Sequence, residues 1–328
     1  MAAASRHDLP AAAVVIVNHF KAQRLLDGVR SLHRQTISGT LAVAVVENSI
    51  DKCERQVLSM EAPEGAFLLV EPGGNIGYTR GCNLGVAALP YSRYVVLCSP
   101  DVVWDQPNAL ERLIAMADAD PSIGVLAPLQ FSDDGSPVEI ARTFPTLAEQ
   151  VKRRLNPRNG SELYLNNSLA DGSAISSEVD WVQSSCVLVR RTLWDRIGGL
   201  DERYFLFMSD VELGRATWSA GLRVCLTSAA TVRTDGKRAS KGGFGALLTS
   251  RAQRGHLVDA IKYYLINGPR KLRRPQISGL AYRRVTTAPS AINVTTLGAR
   301  SVVKSLDAAV HPVDAPSGAR RPSLSSSR

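Results

Sequence analysis

The sequence lacks the features that would mark a membrane-spanning or disulfide-stabilised protein. It has five cysteines among 328 residues, an odd number with no CxxC pair, so neither a disulfide framework nor a zinc site is expected. No apolar run approaches the roughly 20 residues that a bilayer-spanning helix needs. The apolar run at 11–17 is short and has no small-residue cleavage site after it, so we interpret it as a strand. These absences predict a cytoplasmic protein with reduced thiols.

Positive charge is in excess only at one end of the chain. The whole sequence has a net charge of +9, and residues 268–328 alone hold 11 Lys and Arg against 2 acidic residues. The rest is therefore neutral, and we predict no nucleic-acid partner. Residues 268–328 are rich in Pro, Ser, Arg and Thr, which predicts a disordered basic tail. Such a tail suits peripheral attachment to anionic lipid at the inner face of a membrane.

Short apolar runs alternate with helical patterns along the first 130 residues. The pattern predicts strands at 11–18, 41–47, 66–71, 94–98 and 123–126, and helices at 21–34, 78–89 and 107–118. Strand, helix and strand in this succession form βαβ units, in which parallel strands share one sheet and ligands lie at their carboxyl ends. The sequence therefore predicts an α/β fold.

The strand predicted at 94–98 is followed by an acid, Asp101. The strand is apolar throughout, which is typical of a strand buried on both faces of a parallel sheet. An acid just past the carboxyl end of such a strand is well placed to hold a cation or a polar substrate group. A turn acid that caps the next helix is the alternative interpretation of Asp101.

A glycine-rich segment, 72–85, follows the third predicted strand and opens a helix. Its glycines do not have the GxGxxG spacing, so a dinucleotide-binding oxidoreductase is a weak alternative. The favoured interpretation is that Asn75 and Asn83 present amides to a nucleotide while the glycines let the backbone approach it. A tight loop without a ligand fits the same residues.

The second half contains an irregular segment, 132–178, before its first strand. Such long inserts in a compact domain are usually functional or disordered. Further strands are predicted at 180–190, 222–227 and 230–232, and helices at 192–197 and 247–266. Asp210 and Glu212 stand beside aromatic residues at the entrance of another helix and suit proton abstraction from a sugar hydroxyl. An N-cap role for Ser209 or Asp210 is the simpler alternative.

Seven segments resemble, in order and spacing, glycosyltransferase family 2, and in particular its bacterial rhamnosyltransferase-like branch. They are VVIVNHF, VVENS, EPGGNIGYTRGCNLG, LCSPDV, WVQSSCVLVRR, GGLDERYFLFMSDVEL and AGLRV, within residues 12–265. The resemblance implies a GT-A domain over residues 1–267, with a mixed, mostly parallel central sheet and flanking helices. A Rossmann-like nucleotide-binding half, about 11–130, would be fused to an acceptor-binding half, 131–267.

The resemblance also implies roles for individual residues. Asp210 matches the acid expected as general base, and Asp101 matches the last acid of a DxD-like motif that holds Mg²⁺ or Mn²⁺. The residues expected on the nucleotide side are Asn18, Glu47, Asn48, Ser49, Asn75, Gly77, Asn83, Ser99 and Arg233. The residues expected to face the donor sugar or the acceptor are Gln183, Ser184 and Ser185 from the resemblance, and Glu212 from its place beside Asp210.

Three departures from the family pattern bear on the mechanism. Ser99 stands where Asn or Asp is usual, Ser209 replaces an acid before the base, and Arg233 lies near the position of a family histidine. Arg233 would hold the diphosphate directly and reduce the need for metal.

The predicted function is an inverting glycosyltransferase. Its donor would be a dTDP- or UDP-linked sugar, with a rhamnose-like deoxyhexose favoured by the branch resemblance. Its acceptor would be a hydroxyl of a glycan or a lipid-linked glycan. A catalytically inactive GT-A domain that binds sugar nucleotides or serves as a scaffold is the alternative.

Overall fold

The first half of the chain alternates strands and helices as the hydrophobic pattern predicts. The computed structural model describes residues 9–145, 176–236 and 251–268, which all belong to one compact unit. The elements of this half are β1 (Ala12–Asn18), α1 (Ala22–His33), β2 (Leu41–Glu47), α2 (Lys52–Met60), β3 (Leu68–Val70), α3 (Tyr78–Ala88), β4 (Tyr94–Cys98), α4 (Ala109–Ala119) and β5 (Ile123–Ser132). Every strand and helix predicted here is present, although β5 is longer than expected.

Helix α2 is the element of this half that the sequence analysis did not predict. Asp51 caps it, because its Oδ1 accepts the backbone N–H groups of Cys53 (2.8 Å) and Glu54 (3.0 Å). An Asp followed three residues later by Glu is a known signature of a helix start, so the signal was available. Glu54 then accepts the backbone N–H of Ala22 (2.8 Å), which caps α1.

The strands of the second half are short except for β11. Its elements are β6 (Pro137–Val138), β7 (Ala141–Arg142), β8 (Ser176–Glu178), β9 (Trp181–Val182), β10 (Cys186–Arg190), α5 (Arg191–Ile197), α6 (Ser209–Ser219), β11 (Arg223–Thr234) and α7 (Arg251–Asn267). The strand predicted at 180–190 is divided into β9 and β10. The two predicted at 222–227 and 230–232 form one strand, β11, with a register shift between Thr227 and Thr231.

Parts of three predicted regions lie outside the described residues. They are residues 146–175 of the irregular segment, residues 247–250 of the last predicted helix and the predicted tail beyond Gly268. None of the helices within the described ranges is long and apolar enough to cross a bilayer.

One mixed sheet carries most of the strands, in the order β3-β2-β1-β4-β10-β5-β11-β8, with β6 paired to β5. The neighbours from β3 to β4 are parallel, and so are β5 and β11. Strand β10 runs antiparallel between β4 and β5. Strands β7 and β9 form a separate antiparallel pair. This order confirms the predicted α/β class with a mixed, mostly parallel sheet.

The apolar runs explain why β1 and β4 lie at the centre of the sheet. Every residue of both strands is buried, as expected of parallel strands covered on both faces. Helices α1 and α4 contribute to the hydrophobic cluster on one face, and α3, α5, α6 and α7 contribute to the cluster on the other.

The direction of strand order changes at β1, because β2 and β4 pair with its opposite edges. In open α/β sheets, ligands bind in the crevice outside the carboxyl ends of the strands at such a point. Asn18 ends β1 and Cys98 ends β4. The loops that begin at Asn18 and Ser99 therefore border the expected ligand crevice.

Candidate active site

The polar residues at the carboxyl ends of β1 and β2 bond mainly to one another. The Asn18 amide donates to Glu47 Oε2 (2.6 Å) and to Glu54 Oε2 (2.9 Å). Glu47 Oε1 accepts the backbone N–H of Ser49 (2.6 Å), and Ser49 Oγ accepts the N–H of Phe20 (2.8 Å). This network holds together the two loops that follow the strands.

The network changes the interpretation of Asn18 and Glu47, which were expected to line the nucleoside pocket. Asn18 is 0% exposed and Glu47 is 5% exposed, and both carboxylate oxygens of Glu47 already accept hydrogen bonds. Their role in the structure is to support the loops. The exposed residues of these loops include the apolar Phe20 and Ile50, each held at a φ of 58°, a conformation that such residues rarely adopt.

Asn48, at the end of β2, is tied to the glycine-rich segment. Its amide donates to Asn75 Oδ1 and to the carbonyl of Gly77, both at 3.1 Å, and its Oδ1 accepts the N–H of Ile76 (3.0 Å). Asn75 Oδ1 also accepts the N–H of Gly77 (3.0 Å). The structure thus brings these predicted nucleotide-side residues together, with their amides bracing the loop before α3.

Gly77 is needed for a contact within the chain. It has a φ of 86°, and a Cβ at this position would come within 2.6 Å of the Phe205 carbonyl oxygen. The next residue, Tyr78, donates its backbone N–H to the same oxygen (2.8 Å). The loop before α6 thus makes a close backbone approach at Gly77, and the approach of a nucleotide to the same residue stays a prediction.

The amide of Asn83, predicted to face a nucleotide, has hydrogen-bond partners within the chain, and its contact with a nucleotide stays a prediction. The Asn83 amide nitrogen donates to the carbonyl of Leu200 (2.9 Å), and its Oδ1 accepts the N–H of Leu200 (2.9 Å). The nitrogen also donates to Glu202 Oε1 (3.1 Å). Both ends of the amide are therefore occupied in fastening α3 to the loop after α5.

Asp101 lies just beyond β4, as predicted, and meets a second carboxylate that the sequence analysis missed. This is Asp235, the residue directly after β11. Lys21 Nζ lies 2.8 Å from Asp235 Oδ2 and 3.7 Å from Asp101 Oδ2. Burial raises the pKa of the Asp101 carboxyl, hydrogen bonding and like charge from Asp235 raise it further, and the positive charge of Lys21 opposes both.

Sheet pairing explains how Asp235 reaches Asp101. Val103 and Arg233 exchange two backbone hydrogen bonds, each of 2.9 Å, which hold the loop after β4 beside the end of β11. Asp235 is the first acid after the last strand, close to where the family often has a histidine. The family resemblance could therefore have indicated Asp235, but the sequence analysis matched the position of the histidine to Arg233.

The guanidinium of Arg233 pairs with other carboxylates. Its Nε lies 2.6 Å from Asp105 Oδ2, and its Nη1 lies 3.6 Å from Asp133 Oδ1. The Asp101 carboxylate faces Lys21 Nζ, and the Asp101 backbone carbonyl accepts a hydrogen bond from Arg24 Nε (3.2 Å). The guanidinium of Arg233 is thus engaged by Asp105 and Asp133, and its contact with the diphosphate stays a prediction. The basic residues that follow in the sequence, at 237, 238 and 241, lie outside the described residues.

The loop after β9, which we call the 183–185 loop, joins the end of β4 to the start of α3. Ser99 donates its backbone N–H to the carbonyl of Ser185 (2.6 Å), and the Tyr78 hydroxyl donates to the carbonyl of Ser184 (2.8 Å). Gln183 donates its N–H to the carbonyl before β7 (2.8 Å). The three residues predicted to face the sugars therefore form a bridge at the carboxyl edge of the sheet.

Asp210 is the second residue of α6. The N-cap position belongs to Met208, which has a φ of 67°, and no side chain caps this helix, so the N-cap interpretation of Ser209 and Asp210 is wrong. Asp210 Oδ1 accepts the N–H of Val211 (2.9 Å). Burial raises the pKa of Asp210 to about 6, although the Val211 N–H bond and the charge of Arg142 lower it. A carboxyl with a pKa in this range is suited to proton transfer near neutral pH.

Two side chains near Asp210 were missed by the sequence analysis. Burial raises the pKa of Tyr78 well above its usual range, and the negative charge of Asp210 adds a smaller rise. The Tyr78 backbone N–H is bonded to the Phe205 carbonyl (2.8 Å), in the loop that leads to Asp210. Arg142 lies over the Trp181 ring, 5.8 Å from its centroid, and acts electrostatically on Asp210. Since Tyr78 is also bonded to the 183–185 loop, that loop connects the surroundings of Asp101 and Asp210.

Glu212 was predicted to face the donor sugar or the acceptor beside Asp210, and in the structure it is paired with Arg215. Two residues along a helix correspond to about 200° of rotation, so the two side chains leave α6 on different sides. Both carboxylate oxygens of Glu212 accept from Arg215 Nε at 2.9 Å. Both residues line a separate cavity of about 580 Å³ bordered by α5 and α6.

The pair of Asp101 and Asp235 fits a divalent cation in part. Mg²⁺ is commonly bound by one or two carboxylates together with substrate phosphates. Two like carboxyl groups in contact, one of them with a raised pKa, are an arrangement that a bound cation would stabilise. Within the described part of the chain, His, Cys, Asp and Glu side chains form no metal-binding group of three or more. Diphosphate and water would have to complete the coordination.

The chain is similar to bacterial rhamnosyltransferases. The N-acetylglucosaminyl-diphospho-decaprenol L-rhamnosyltransferase of Mycobacterium tuberculosis (strain ATCC 25618 / H37Rv) is 34% identical over 167 residues, which cover 47% of this chain and 53% of that protein. Rhamnosyltransferase WbbL of Escherichia coli (strain K12) is 22% identical over 160 residues, which cover 46% of this chain and 58% of WbbL. The match thus spans little more than half the length of these relatives.

A solved structure agrees with the fold. The mannosyltransferase PcManGT from Pyrobaculum calidifontis, in complex with GDP-Man and Mn²⁺, has a TM-score of 0.54 and 17% identity, over 83% of this chain and 68% of that chain. At this identity the likeness concerns the fold alone, and it confirms the predicted GT-A architecture. The model of the family described as "Glycosyltransferase like family 2" matches residues 10–254. The chain therefore belongs to glycosyltransferase-like family 2.

Proposed function

We propose that this chain is an inverting glycosyltransferase, which moves a sugar from a nucleoside diphosphate to an acceptor hydroxyl. The observation that carries the proposal is the 183–185 loop, which connects the surroundings of Asp101 and Asp210 at one edge of the sheet. The reaction needs one group that offsets the charge of the leaving diphosphate and another that takes the acceptor proton. Family membership supports the assignment.

Asp210 is the proposed general base. Its Oδ1 accepts the N–H of Val211, so we assign the acceptor proton to Oδ2. The acceptor oxygen forms a bond with the anomeric carbon while the bond from that carbon to the diphosphate oxygen breaks. The proton passes to Asp210 Oδ2, and the electron pair of the broken bond leaves on the diphosphate. Attack from the face opposite the diphosphate inverts the configuration.

Asp101 and Asp235 are the residues proposed to hold Mg²⁺ or Mn²⁺. Once bound, the cation supplies positive charge to the diphosphate oxygens as their negative charge develops. Lys21 contributes a positive charge of the protein itself at the same place. Ser99 positions the loop that carries Asp101, since its backbone N–H is bonded to Ser185.

The substrates are proposed from the relatives. The name of the M. tuberculosis relative specifies an L-rhamnosyl donor group and a decaprenol diphosphate-linked acceptor. We infer for this chain a dTDP- or UDP-linked deoxyhexose of the rhamnose kind as donor, and a glycan or lipid-linked glycan as acceptor. A cytoplasmic location stays a prediction.

A catalytically inactive GT-A domain is the second candidate. Ser99 and Ser209 favour it, because each replaces a residue usual in the family pattern. Two observations support the active enzyme instead: Asp235 adds a carboxylate beside Asp101, and the raised pKa of Asp210 suits a base.

Calorimetric binding of dTDP and UDP, with and without Mg²⁺ or Mn²⁺, tests the proposal. We expect one nucleotide to bind more tightly with the cation, and Asp101→Asn to abolish that difference. Asp105→Asn is the matched control, because Asp105 pairs with Arg233 and is not assigned to the cation. Cation-independent binding in every variant would contradict the cation site. Nucleotide binding without sugar transfer from any donor would favour the inactive domain.

A further inference from the structure

Helix α7 presents an apolar stripe to the outside of the molecule. Leu257, Val258, Ile261 and Leu265 are 39%, 50%, 51% and 81% exposed. Leu257, Ile261 and Leu265 recur every four residues, with Val258 beside them, so they lie on one side of the helix. We call these four residues the α7 stripe. Contiguous exposed apolar side chains of this size mark an interaction surface more often than scattered ones do.

The opposite side of α7 is fastened to the body of the protein. The carboxylate of Asp259, which is 1% exposed, accepts the backbone N–H groups of residues 205–207 at 3.0 to 3.3 Å. Ala260 and Tyr263 are buried in the hydrophobic cluster on that face of the sheet. Because rotation of the helix would break these contacts, the α7 stripe stays directed outward.

Positive charge predominates in the sequence of α7 and in the residues that directly follow it. Asp259 is the one acidic residue in the sequence of α7, and it is turned inward. Lys262 is exposed on 45% of its side chain. The sequence immediately beyond Gly268 reads PRKLRR, and residues 268–328 together hold 11 Lys and Arg against 2 acidic residues. An apolar stripe with positive neighbours is complementary to an anionic lipid surface.

We propose that the α7 stripe docks on an anionic membrane surface, where its side chains enter the boundary between headgroups and acyl chains. The basic residues beyond Gly268 supply the electrostatic part of the attraction, and the stripe supplies the apolar part. Asp259 connects the docked helix to residues 205–207, which lead into α6. The proposal does not depend on the catalytic assignments, since docking needs neither donor nor acceptor.

Sedimentation of the intact protein with vesicles tests the proposal. We compare vesicles of phosphatidylglycerol and phosphatidylcholine with vesicles of phosphatidylcholine alone, for the wild type and for Ile261→Glu/Leu265→Glu. Charges in place of two exposed apolar side chains that would enter the membrane should lower binding to the anionic vesicles by about tenfold or more. Met60→Glu is the matched control, because Met60 is an exposed apolar residue (73%) on a different helix, α2, and should leave binding unchanged.

Raising the salt concentration separates the two contributions. Screening weakens the attraction of the basic residues, whereas the loss caused by Ile261→Glu/Leu265→Glu should persist in the remaining binding. Thermal unfolding checks that the variant is folded. If it is not, the milder Ile261→Ser/Leu265→Ser takes its place, with a smaller loss expected.

Three outcomes would overturn the proposal. The first is equal vesicle binding by the folded stripe variant and the wild type. The second is the absence of binding of the wild type to anionic vesicles at low salt. The third is a dimer of the wild type, seen by size-exclusion chromatography without vesicles, that the stripe variant converts to monomer, because the stripe would then be a contact between copies of the chain. Vesicle sedimentation and size-exclusion chromatography measure neither nucleotide binding nor sugar transfer, so the proposed function is tested separately.

Discussion

Two regions of the molecule use similar polar side chains differently. One region is the pair of loops after β1 and β2, and the other consists of the two acidic centres, which are the surroundings of Asp101 and of Asp210. In the loops, Asn18 and Glu47 have their hydrogen-bonding groups occupied by neighbouring residues. At the acidic centres, burial raises the pKa of Asp101 and Asp210. A satisfied buried network makes a structure rigid, whereas a carboxyl with a perturbed pKa in a crevice is a candidate for chemistry. Substitutions should therefore cost stability in the first region and turnover in the second.

The largest effect is expected from Asp210→Asn. An amide cannot take the acceptor proton, so turnover should fall by about 10² to 10⁴-fold, the usual contribution of a general base. The Asn oxygen can still accept the N–H of Val211, so the unfolding midpoint should change little. Initial rates of sugar transfer and thermal unfolding measure the two effects. Turnover retained by the folded variant would remove Asp210 from the mechanism.

The next effect is expected from Asp235→Asn. Loss of one of two carboxylates should weaken the apparent affinity for Mg²⁺ or Mn²⁺ by about tenfold or more, as measured by titrating the cation into the nucleotide-bound protein. Asp133→Asn is the control, because Asp133 pairs with Arg24 and Arg233 nearby. If both variants titrate like the wild type, Asp235 is not a ligand of the cation. The comparison of the two regions would then rest on Asp210 alone.

A smaller effect concerns the dependence of kcat/KM on pH. The pKa of Asp210 is raised from 3.8 to about 6, and only its deprotonated form can take a proton, so kcat/KM should fall about tenfold per pH unit below 6. The positive charge of Arg142 lowers this pKa, so Arg142→Gln should move the acidic limb to higher pH. A pH–rate profile measures both. An acidic limb that stays in place in Arg142→Gln would contradict the assignment of this limb to Asp210.

The smallest effect on turnover is expected in the loop network. Asn18→Ala removes a buried donor to Glu47 and Glu54 and should lower the free energy of unfolding by about 1–3 kcal/mol. Gln23→Ala, which loses an exposed contact with Glu61, should change it by less than about 0.5 kcal/mol. Urea unfolding measures both changes. A loss of turnover without a loss of stability in Asn18→Ala would make Asn18 part of the chemistry.

Much of the fold could be predicted from local patterns. β2 and β4 have the predicted bounds, because an apolar run that is too short for a helix and is bounded by polar residues is typical of a strand buried in a parallel sheet. The positions of Asp101 after β4 and of Asp210 in the first turn of α6 followed from the same patterns together with the family resemblance.

The sequence by itself determined the strands of the first half, most of the helices and the two acids expected at their ends, because periodicity and propensity act over a few neighbouring residues. Strands β6, β7 and β8, which lie in the segment predicted to be irregular, were not predicted. Only the tertiary structure decided the partners of the side chains. Asp235 meets Asp101 because β11 passes beside the loop after β4. The amide of Asn83 is hydrogen-bonded to the backbone of Leu200 because Leu200 lies against α3. Such contacts join distant segments of the chain, and they depend on how the finished sheet and its helices pack.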